Sequence, residues 1–357
     1  METHTSTLPP EHPGFVRRLS SILIDVYRDP VFRAIMLLIA LLALVRPSQL
    51  LTSLVFTLDS LWSMLPFFAL AIGVAAYARA TRADTLIARV FSGNPVRAIV
   101  LAAFVGALSP FCSCGVIPLI AAMLGAGVPL APVMAFWISS PIMDPEMFVL
   151  TAAGIGLDFA IAKTLIAIAM GLMAGFTVFL LQRYRWLQDP LRSGLSGGCG
   201  SSCDSAKPAT VNWRFWSEPD RVRLFVNEGQ SIGVFLGKWL TLAFFLESLM
   251  LAYVAPEWIA AYVGTESNFA IPLAALVGAP TYLNGYAAIP LISGLLEIGM
   301  TPGAAMAFVT AGAVSSVPAA IAVFALVKKQ VFALYLSLGL VGSMLGAWIY
   351  QLFGSAV

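Results

Sequence analysis

The chain has 357 residues, of which 59% are hydrophobic and 11% are charged, and its formal net charge at pH 7 is +2. Soluble domains carry about 25% charged residues, so this composition excludes an ordinary soluble domain and indicates a protein that crosses a membrane several times. The small net charge gives no support for nucleic-acid binding. Four cysteines in two close pairs are too few for a disulfide scaffold.

The N-terminal region is polar and predicts no secretory signal peptide. We expect residues 1–30 to form a cytoplasmic tail and residues 31–47 to form an extra N-terminal transmembrane helix. A span needs about 20 mostly apolar residues. Further candidate spans lie near 54–78, 97–111, 159–181, 229–254, 269–280 and 331–353. Shorter apolar pieces, interrupted by proline and glycine as in broken helices, lie near 115–126, 130–150, 286–297 and 303–327.

The distribution of basic residues predicts the orientation of the chain. Lysine and arginine mark cytoplasmic segments, and they cluster before the first span, after the second span and in the loop 182–228. Lys328 and Lys329 precede the last span, whereas the connection 255–268 carries two glutamates and no basic residue. We therefore expect an inner (plasma) membrane protein with a cytoplasmic N-terminus, a cytoplasmic 182–228 loop and a C-terminus outside.

A shift of 172 residues aligns the chain with itself. Residues 117–120 (Ile-Pro-Leu-Ile) fall on residues 289–292, and Gly127 falls on Gly299. Near the end of each copy a shift of 171 aligns a second set of glycines, which places Gly171 and Gly175 on Gly342 and Gly346. The matches predict a first transmembrane repeat at 54–181 and a second at 229–353.

The charges predict that the two copies have opposite polarity in the membrane. The loop after the first span of copy one is basic, and its counterpart in copy two is acidic. This is the inverted-topology repeat of many secondary transporters. The predicted fold class is therefore an all-α polytopic membrane protein with an inverted-topology internal repeat, broken helices and one extra N-terminal span.

The interruption of copy one, residues 109–118, reads "SPFCSCGVIP" and contains Cys112, Ser113 and Cys114. Cysteines two positions apart point about 200° apart on a regular helix, but they converge in a broken turn, and thiolates bind soft metals or metalloids. The alternative is that each cysteine is a small buried hydrophobe. The counterpart in copy two is "TYLNGYAAIP", and a substrate site there is expected to include Tyr282, Asn284 and Tyr286.

The second cysteine pair, Cys199 and Cys203, lies in a Gly/Ser-rich stretch that predicts a flexible cytoplasmic loop. These thiols are candidates for capturing the cargo. The alternatives are a linker with incidental thiols, or a zinc site short of two ligands.

Several charged residues lie inside apolar segments. A charge at the bilayer centre costs about 2.5–3.5 kcal/mol on insertion scales, so Glu247 is a candidate proton-coupling carboxylate, or else a structural hydrogen-bond partner. Asp144 is the second candidate coupling residue. It either lines the path or caps the next helix, because Pro145 follows it. Lys163 and Lys238 lie nearer to span ends, where snorkelling to the interface is expected.

Three stretches resemble the ArsP permease family: "SPFCSCGVIP", "GAPTYLNGYAAIPL" and "GMTPGAAMAF", together with the long polar central loop. The resemblance covers about 50–355. That family comprises efflux permeases for trivalent organoarsenicals such as methylarsenite, and related permeases of unassigned substrate. The resemblance implies secondary-active efflux of a thiophilic organometalloid, held near the midplane between two broken helices, without a cofactor or a resident metal.

Two alternatives to this function stay open. One is a permease for another soft or sulfur-containing solute, and the other is a membrane thiol–disulfide oxidoreductase that links the two cysteine pairs. The sequence contains no phosphate-binding loop and no nucleophile elbow in a suitable context, so we expect no enzyme and no ATP hydrolysis by this chain.

Overall fold

The computed structural model describes residues 29–81, 93–109, 116–125, 127–182, 187, 190–192, 216, 218–253, 269–280, 285–297 and 299–354. These residues form thirteen α-helices and no β-strand. The helices are α1 Pro30–Val45, α2 Pro47–Thr81, α3 Pro95–Leu108, α4 Val116–Gly125, α5 Leu130–Ser139, α6 Pro145–Gly154, α7 Leu157–Leu181, α8 Pro219–Tyr253, α9 Ala270–Gly278, α10 Gly285–Glu297, α11 Pro302–Ser315, α12 Val317–Leu326 and α13 Lys329–Gly354. The all-α prediction is confirmed.

The chain divides into two compact units, residues 1–52 and residues 53–357. In the described part of the first unit, α1 begins at Pro30 because the Asp29 side chain accepts a hydrogen bond from the Val31 backbone N–H at 3.0 Å. The second unit contains most of α2, all of α3–α13 and the features described below.

Within the described residues, α7, α8 and α13 are long and apolar enough to cross a membrane, and α11 and α12 pass the same test as one span bent by 42°. Three predicted spans form shorter helices: α1, in place of the predicted span 31–47, has 16 residues, and two spans inside the repeats are shorter still. The segments near 97–111 and 269–280 form α3, of 14 residues, and α9, of 9 residues. At 1.5 Å per residue these helices are about 21 and 14 Å long, against a hydrocarbon core of about 30 Å. They are half-helices.

The helices repeat with an offset of 172 residues. Helix α2 and helix α8 are both 35 residues long and begin at Pro47 and Pro219. The same offset relates α6 to α12 at both ends and α7 to α13 at their first residues. Each helix of α2–α7 therefore corresponds to the helix six numbers later, which confirms the internal repeat.

The same local chemistry ends equivalent helices in both copies. The backbone N–H of Gly127 donates to the Leu124 carbonyl at 3.1 Å, and the N–H of Gly299 donates to the Leu296 carbonyl at the same distance. Both glycines have positive φ, 82° and 107°, in the left-handed region that disfavours other residues. Together with the next N–H in each copy, these bonds form the Schellman motif that terminates α4 and α10.

Small residues allow close helix contacts inside each copy. A Cβ atom at Gly106 would lie 2.8 Å from the Phe136 backbone oxygen, and one at Gly278 would lie 2.5 Å from the Phe308 backbone oxygen. These paired approaches bring α3 against α5 and α9 against α11, and the small-residue contacts take the place of a hydrophobic driving force within lipid. Helices α7 and α13 complete the two three-helix groups.

The two copies are inverted relative to each other. Equivalent helices α7 and α13 pack together, and the Phe159 and Tyr350 rings lie 5.6 Å apart. Farther along α7, Ile166 lies against Gly346, so residue numbers rise on one helix as they fall on the other. Equivalent spanning helices that run antiparallel require opposite topology in the membrane. Contacts between the copies are also reciprocal, since α6 touches α10 and α4 touches α12.

The glycine alignment at a shift of 171 is not a structural equivalence. Gly171 approaches the Ala135 backbone of its own copy, whereas Gly342 faces Met170 of the other copy. The helix starts place Ser343, not Gly342, opposite Gly171. Apolar helices are built from few residue types, so glycines that make unrelated contacts can align by chance when the sequence is shifted by 171 instead of 172 residues.

Candidate functional site

The first interruption of copy one begins at Ser109. Its backbone is extended, with φ −78° and ψ 131°, as expected for a residue before proline. The Ser109 hydroxyl donates to the Gly106 carbonyl at 2.7 Å and lies 2.8 Å from the Ser140 hydroxyl. Because Ser140 follows the last residue of α5, this contact places the first interruption of copy one next to the second.

A double-mutant cycle on Ser109 and Ser140 tests this contact. Hydrogen bonds between helices in membranes average about 0.6 kcal/mol by double-mutant cycles, so Ser109→Ala and Ser140→Ala should show a coupling energy of about that size. The readout is the free energy of unfolding in mixed micelles. A cycle that pairs Ser109→Ala with exposed Ser337→Ala is the control and should show no coupling. Full additivity of the first pair would contradict the contact.

The predicted thiol and amide residues lie largely outside the described residues. Cys112, Ser113 and Cys114 fall between α3 and α4, and Tyr282 and Asn284 fall between α9 and α10. Tyr286 is the second residue of α10, and its side chain is also outside the description. The loop pair Cys199 and Cys203 is outside it as well. Their functional roles stay predictions, while the ends of α3 and α9 confirm that both helices stop before these segments.

A small cleft, which encloses a space about the size of one water molecule, lies where the two copies meet. Copy one contributes α6 and α7, with Met147, Thr151, Ile155, Phe159 and Lys163. Copy two contributes α10 and α11, with Ala288, Ile289 and Val309. Helices α6 and α10 are the half-helices that follow an interruption in each copy, so the cleft is formed by broken segments of both repeats.

Lys163 lies inside this cleft, and the predicted snorkelling is wrong for it. Its side chain is 2% exposed, and within the described residues it has no hydrogen bond or salt bridge. The reason is its face on α7, since Phe159, Ile166 and Met170 share its helical spacing and are all buried. The sequence did not show this face, because exposed residues of α7 such as Ile161 and Leu165 are equally apolar.

Asp144 is the N-cap of α6. Its carboxylate accepts a hydrogen bond from the Met147 backbone N–H at 2.7 Å, and Pro145 occupies the first helical position. The capping alternative is therefore confirmed. The carboxylate also interacts electrostatically with Lys163, although no described contact places the two within salt-bridge distance. Ser316 caps α12 in the equivalent position through the Ala319 N–H at 3.4 Å.

Glu247 is buried in α8, with its side chain 6% exposed. Its Oε2 atom has no hydrogen-bond partner among the described residues. The next residue, Ser248, donates from its hydroxyl to the Ser53 hydroxyl at 2.9 Å and so joins α8 to α2. Glu247 does not line the cleft, and its coupling role stays a prediction. In the described parts of the chain no cluster of three or more His, Cys, Asp or Glu side chains is suited to a metal ion.

The family model described as a predicted permease, ArsP_1, matches residues 49–352. The chain belongs to the ArsP family of predicted permeases. The match spans both inverted repeats and the loop between them, so it agrees with the helical arrangement and makes this ArsP chain a multi-pass membrane permease.

The chain is also similar, at 22–28% identity, to three curated proteins. The UPF0718 protein MJ0584 of Methanocaldococcus jannaschii is 22% identical over 333 residues, which is 80% of this ArsP chain and 90% of the relative. YcgR of Bacillus subtilis, also a UPF0718 protein, is 28% identical over 31% of this chain and 38% of its own length. A Streptococcus mutans protein, described as a subunit of a two-component membrane permease complex, is 25% identical over 37% of this chain and 46% of its own length. No solved structure gives a significant match.

Proposed function

We propose that the chain is a secondary-active efflux permease for trivalent organoarsenicals such as methylarsenite. The observation that carries the proposal is that both copies of an inverted repeat end their first half-helix at equivalent places, and one of those places is followed by Cys112 and Cys114. Inverted transporters bind substrate near the midplane where interrupted helices of the two copies face each other. Two thiols in one interruption suit a soft metalloid with two exchangeable positions.

In this proposal the substrate lies between the two interruptions. Cys112 and Cys114, with Ser113, contact it from copy one, and Tyr282, Asn284 and Tyr286 contact it from copy two. Irregular backbone at membrane depth is tolerated where it lines a cavity, which supports placing substrate groups at the chain breaks. Cys199 and Cys203 take the arsenical from cytosolic thiols and deliver it to the membrane pair by thiolate exchange.

The proposed location is the inner (plasma) membrane, with the N-terminus and the 182–228 loop in the cytoplasm and the C-terminus outside. The positive-inside rule supports this orientation. Export is then directed away from the compartment that contains the cysteine-bearing loop.

The test is uptake of methylarsenite into everted membrane vesicles, whose outer surface is the cytoplasmic face. Vesicles that contain the chain should accumulate methylarsenite above the level in matched vesicles that lack it, and an imposed ion gradient should drive the accumulation. Uptake of another thiol-reactive or sulfur-containing solute in place of methylarsenite would shift the assignment to that solute. Quinone-linked thiol oxidation that needs both cysteine pairs, without net uptake, would indicate an oxidoreductase and overturn the proposal.

Glu247→Gln provides a prediction about coupling. The amide keeps the shape of the side chain but cannot exchange a proton, so a carboxylate that couples transport to protons is lost. We expect uptake driven by a proton gradient to fall at least tenfold, while exchange of labelled for unlabelled methylarsenite across the membrane is retained. Glu297→Gln, at the exposed last residue of α10, is the matched control and should behave as wild type. Loss of both the exchange and the proton-driven uptake would indicate a structural role for Glu247.

A further inference from the structure

The inverted repeat gives the cleft a counterpart, formed by the equivalent positions with the two copies exchanged. We call this counterpart the filled twin, because large side chains occupy it. The offset of 172 places Tyr335 opposite Lys163 and Trp137 opposite Val309. Tyr335 and Trp137 are each 1% exposed, and their ring centroids lie 4.9 Å apart. Two large rings therefore pack where the open cleft has a lysine and a valine.

The filled twin and the open cleft also differ in the hydrogen bonds of their buried polar groups. The Tyr335 hydroxyl donates to the Val314 carbonyl at 2.6 Å. In the open cleft, Thr151 is 1% exposed, and its Oγ1 atom has no partner among the described residues. Lys163 is 2% exposed, and the described residues likewise give it no hydrogen bond or salt bridge. The position equivalent to Thr151 in the filled twin is the apolar Val323.

A buried ammonium group and a buried hydroxyl are costly unless they are paired. The carboxylate that interacts with Lys163, that of Asp144, is already bound to the N-terminus of α6 at 2.7 Å. A lysine ammonium has donors only, and a threonine hydroxyl supplies one more donor. The remaining wall consists of Met147, Ile155, Phe159, Ala288, Ile289 and Val309. Two donors in an apolar wall, one of them cationic, are suited to an anionic acceptor.

We propose that this cleft is a binding site for a small monovalent anion, held by Lys163 and Thr151. The space that it encloses is about the size of one water molecule, so its ligand is a small ion or a single acidic group that reaches in from the open side. The anion is either free in solution or an acidic group of the transported molecule. The second source rests on the proposed transport function, whereas the first does not.

Thermal unfolding of the purified full-length chain tests the free anion. Chloride is exchanged for gluconate, which is too large for the cleft, at constant ionic strength. In wild type the melting temperature should rise with chloride and saturate, because ligand binding stabilises the folded state. Lys163→Met and Thr151→Val should each raise, at least tenfold, the chloride concentration that gives half of the rise in melting temperature. Lys238→Met, which removes a lysine of α8 outside the cleft, should retain the wild-type response.

A second variant guards against simple misfolding. Lys163→Tyr/Val309→Trp copies the filled twin into the open cleft, and a cooperative melting transition in gluconate shows that this variant is folded. Its melting temperature should not respond to chloride. A saturable chloride response that persists in this variant and in Lys163→Met would place the anion elsewhere and overturn the free-anion source.

Uptake into everted vesicles tests the substrate as the source. The probes are an aryl trivalent arsenical that carries a carboxylate and its matching carboxamide. Lys163→Met should lower uptake of the carboxylate at least tenfold and leave the carboxamide unchanged. Either result, chloride binding or carboxylate selectivity that depends on Lys163, supports the site and identifies its source. Absence of both overturns it. Chloride binding without uptake of either arsenical would retain the anion site and reject the proposed substrate.

Discussion

Replacing both Cys112 and Cys114 with serine should lower methylarsenite uptake into everted vesicles at least 100-fold while the protein stays folded. Serine is close to cysteine in volume, so packing changes little, but a hydroxyl is a hard ligand and does not replace a thiolate for a soft metalloid. The measurements are the initial uptake rate, normalised to the amount of chain in the membrane, and the melting temperature of the purified variant.

The loop pair gives the matched control for this change. Cys199→Ser/Cys203→Ser removes the same two functional groups from the cytoplasmic segment. If these thiols capture cargo, the variant should need more methylarsenite for half-maximal uptake and reach the wild-type maximal rate. Wild-type uptake by the Cys112→Ser/Cys114→Ser variant would return the membrane thiols to the role of small buried hydrophobes, although the permease fold would stand.

The second large effect concerns the contact between α9 and α11. A Cβ atom at Gly278 would lie 2.5 Å from the Phe308 backbone oxygen and 2.9 Å from its Cα. Because both atoms belong to the backbone, no side-chain rotation relieves the overlap. Overpacking of this kind costs about 1–3 kcal/mol, so Gly278→Ala should destabilise the protein by that amount.

Gly73→Ala in α2 should instead stabilise the protein against unfolding. Among the described residues no atom lies within 4 Å of a Cβ placed at Gly73, and alanine in place of glycine inside a helix stabilises by roughly 0.5–1 kcal/mol. Unfolding of both variants in mixed micelles measures the difference. Gly106→Ala, the equivalent change in copy one, should follow Gly278→Ala. Equal effects of Gly278→Ala and Gly73→Ala would show that the close helix approach does not hold in the folded protein.

The repeat was predictable from sequence because the residues that bound its helices, proline and glycine, recur at equivalent positions in the two copies. Proline and glycine end helices for local reasons, and Pro47, Pro219, Gly127 and Gly299 hold equivalent places in the two copies. The offset of 172 residues therefore appears in the sequence and again in the helix bounds. The inverted orientation, predicted from loop charges, follows independently from the antiparallel contact of α7 with α13.

The half-helices and the cleft were harder to predict. Hydropathy does not distinguish an apolar helix of 9 or 14 residues from a span, because that distinction depends on where the helix ends. The cleft depends on differences between the copies. Lys163 and Val309 each replace a large ring at one pair of equivalent positions, and the consequence appears only when α7 and α11 are brought together.

Inverted repeats give a physical basis for transport. When two copies of one sequence plan adopt slightly different packings, exchanging those packings produces a state that opens to the other side of the membrane. The reciprocal contacts of α6 with α10 and of α4 with α12 are the contacts that such an exchange would alter. In the proposed mechanism, a substrate held between the interruptions stays near the centre while the half-helices rearrange around it.

The most direct test is whether the two interruptions face each other in the folded protein. A chain with Cys112 retained, Asn284→Cys introduced, its other cysteines replaced by serine and a protease site inserted in the 182–228 loop is treated with a short bifunctional thiol reagent and then cleaved. If the two interruptions face each other, the two halves stay joined on a denaturing gel. A control with Leu276→Cys, 56% exposed on α9, should separate. Separation of the Cys112 and Asn284→Cys halves to the same extent as the control would contradict a shared substrate site between the repeats.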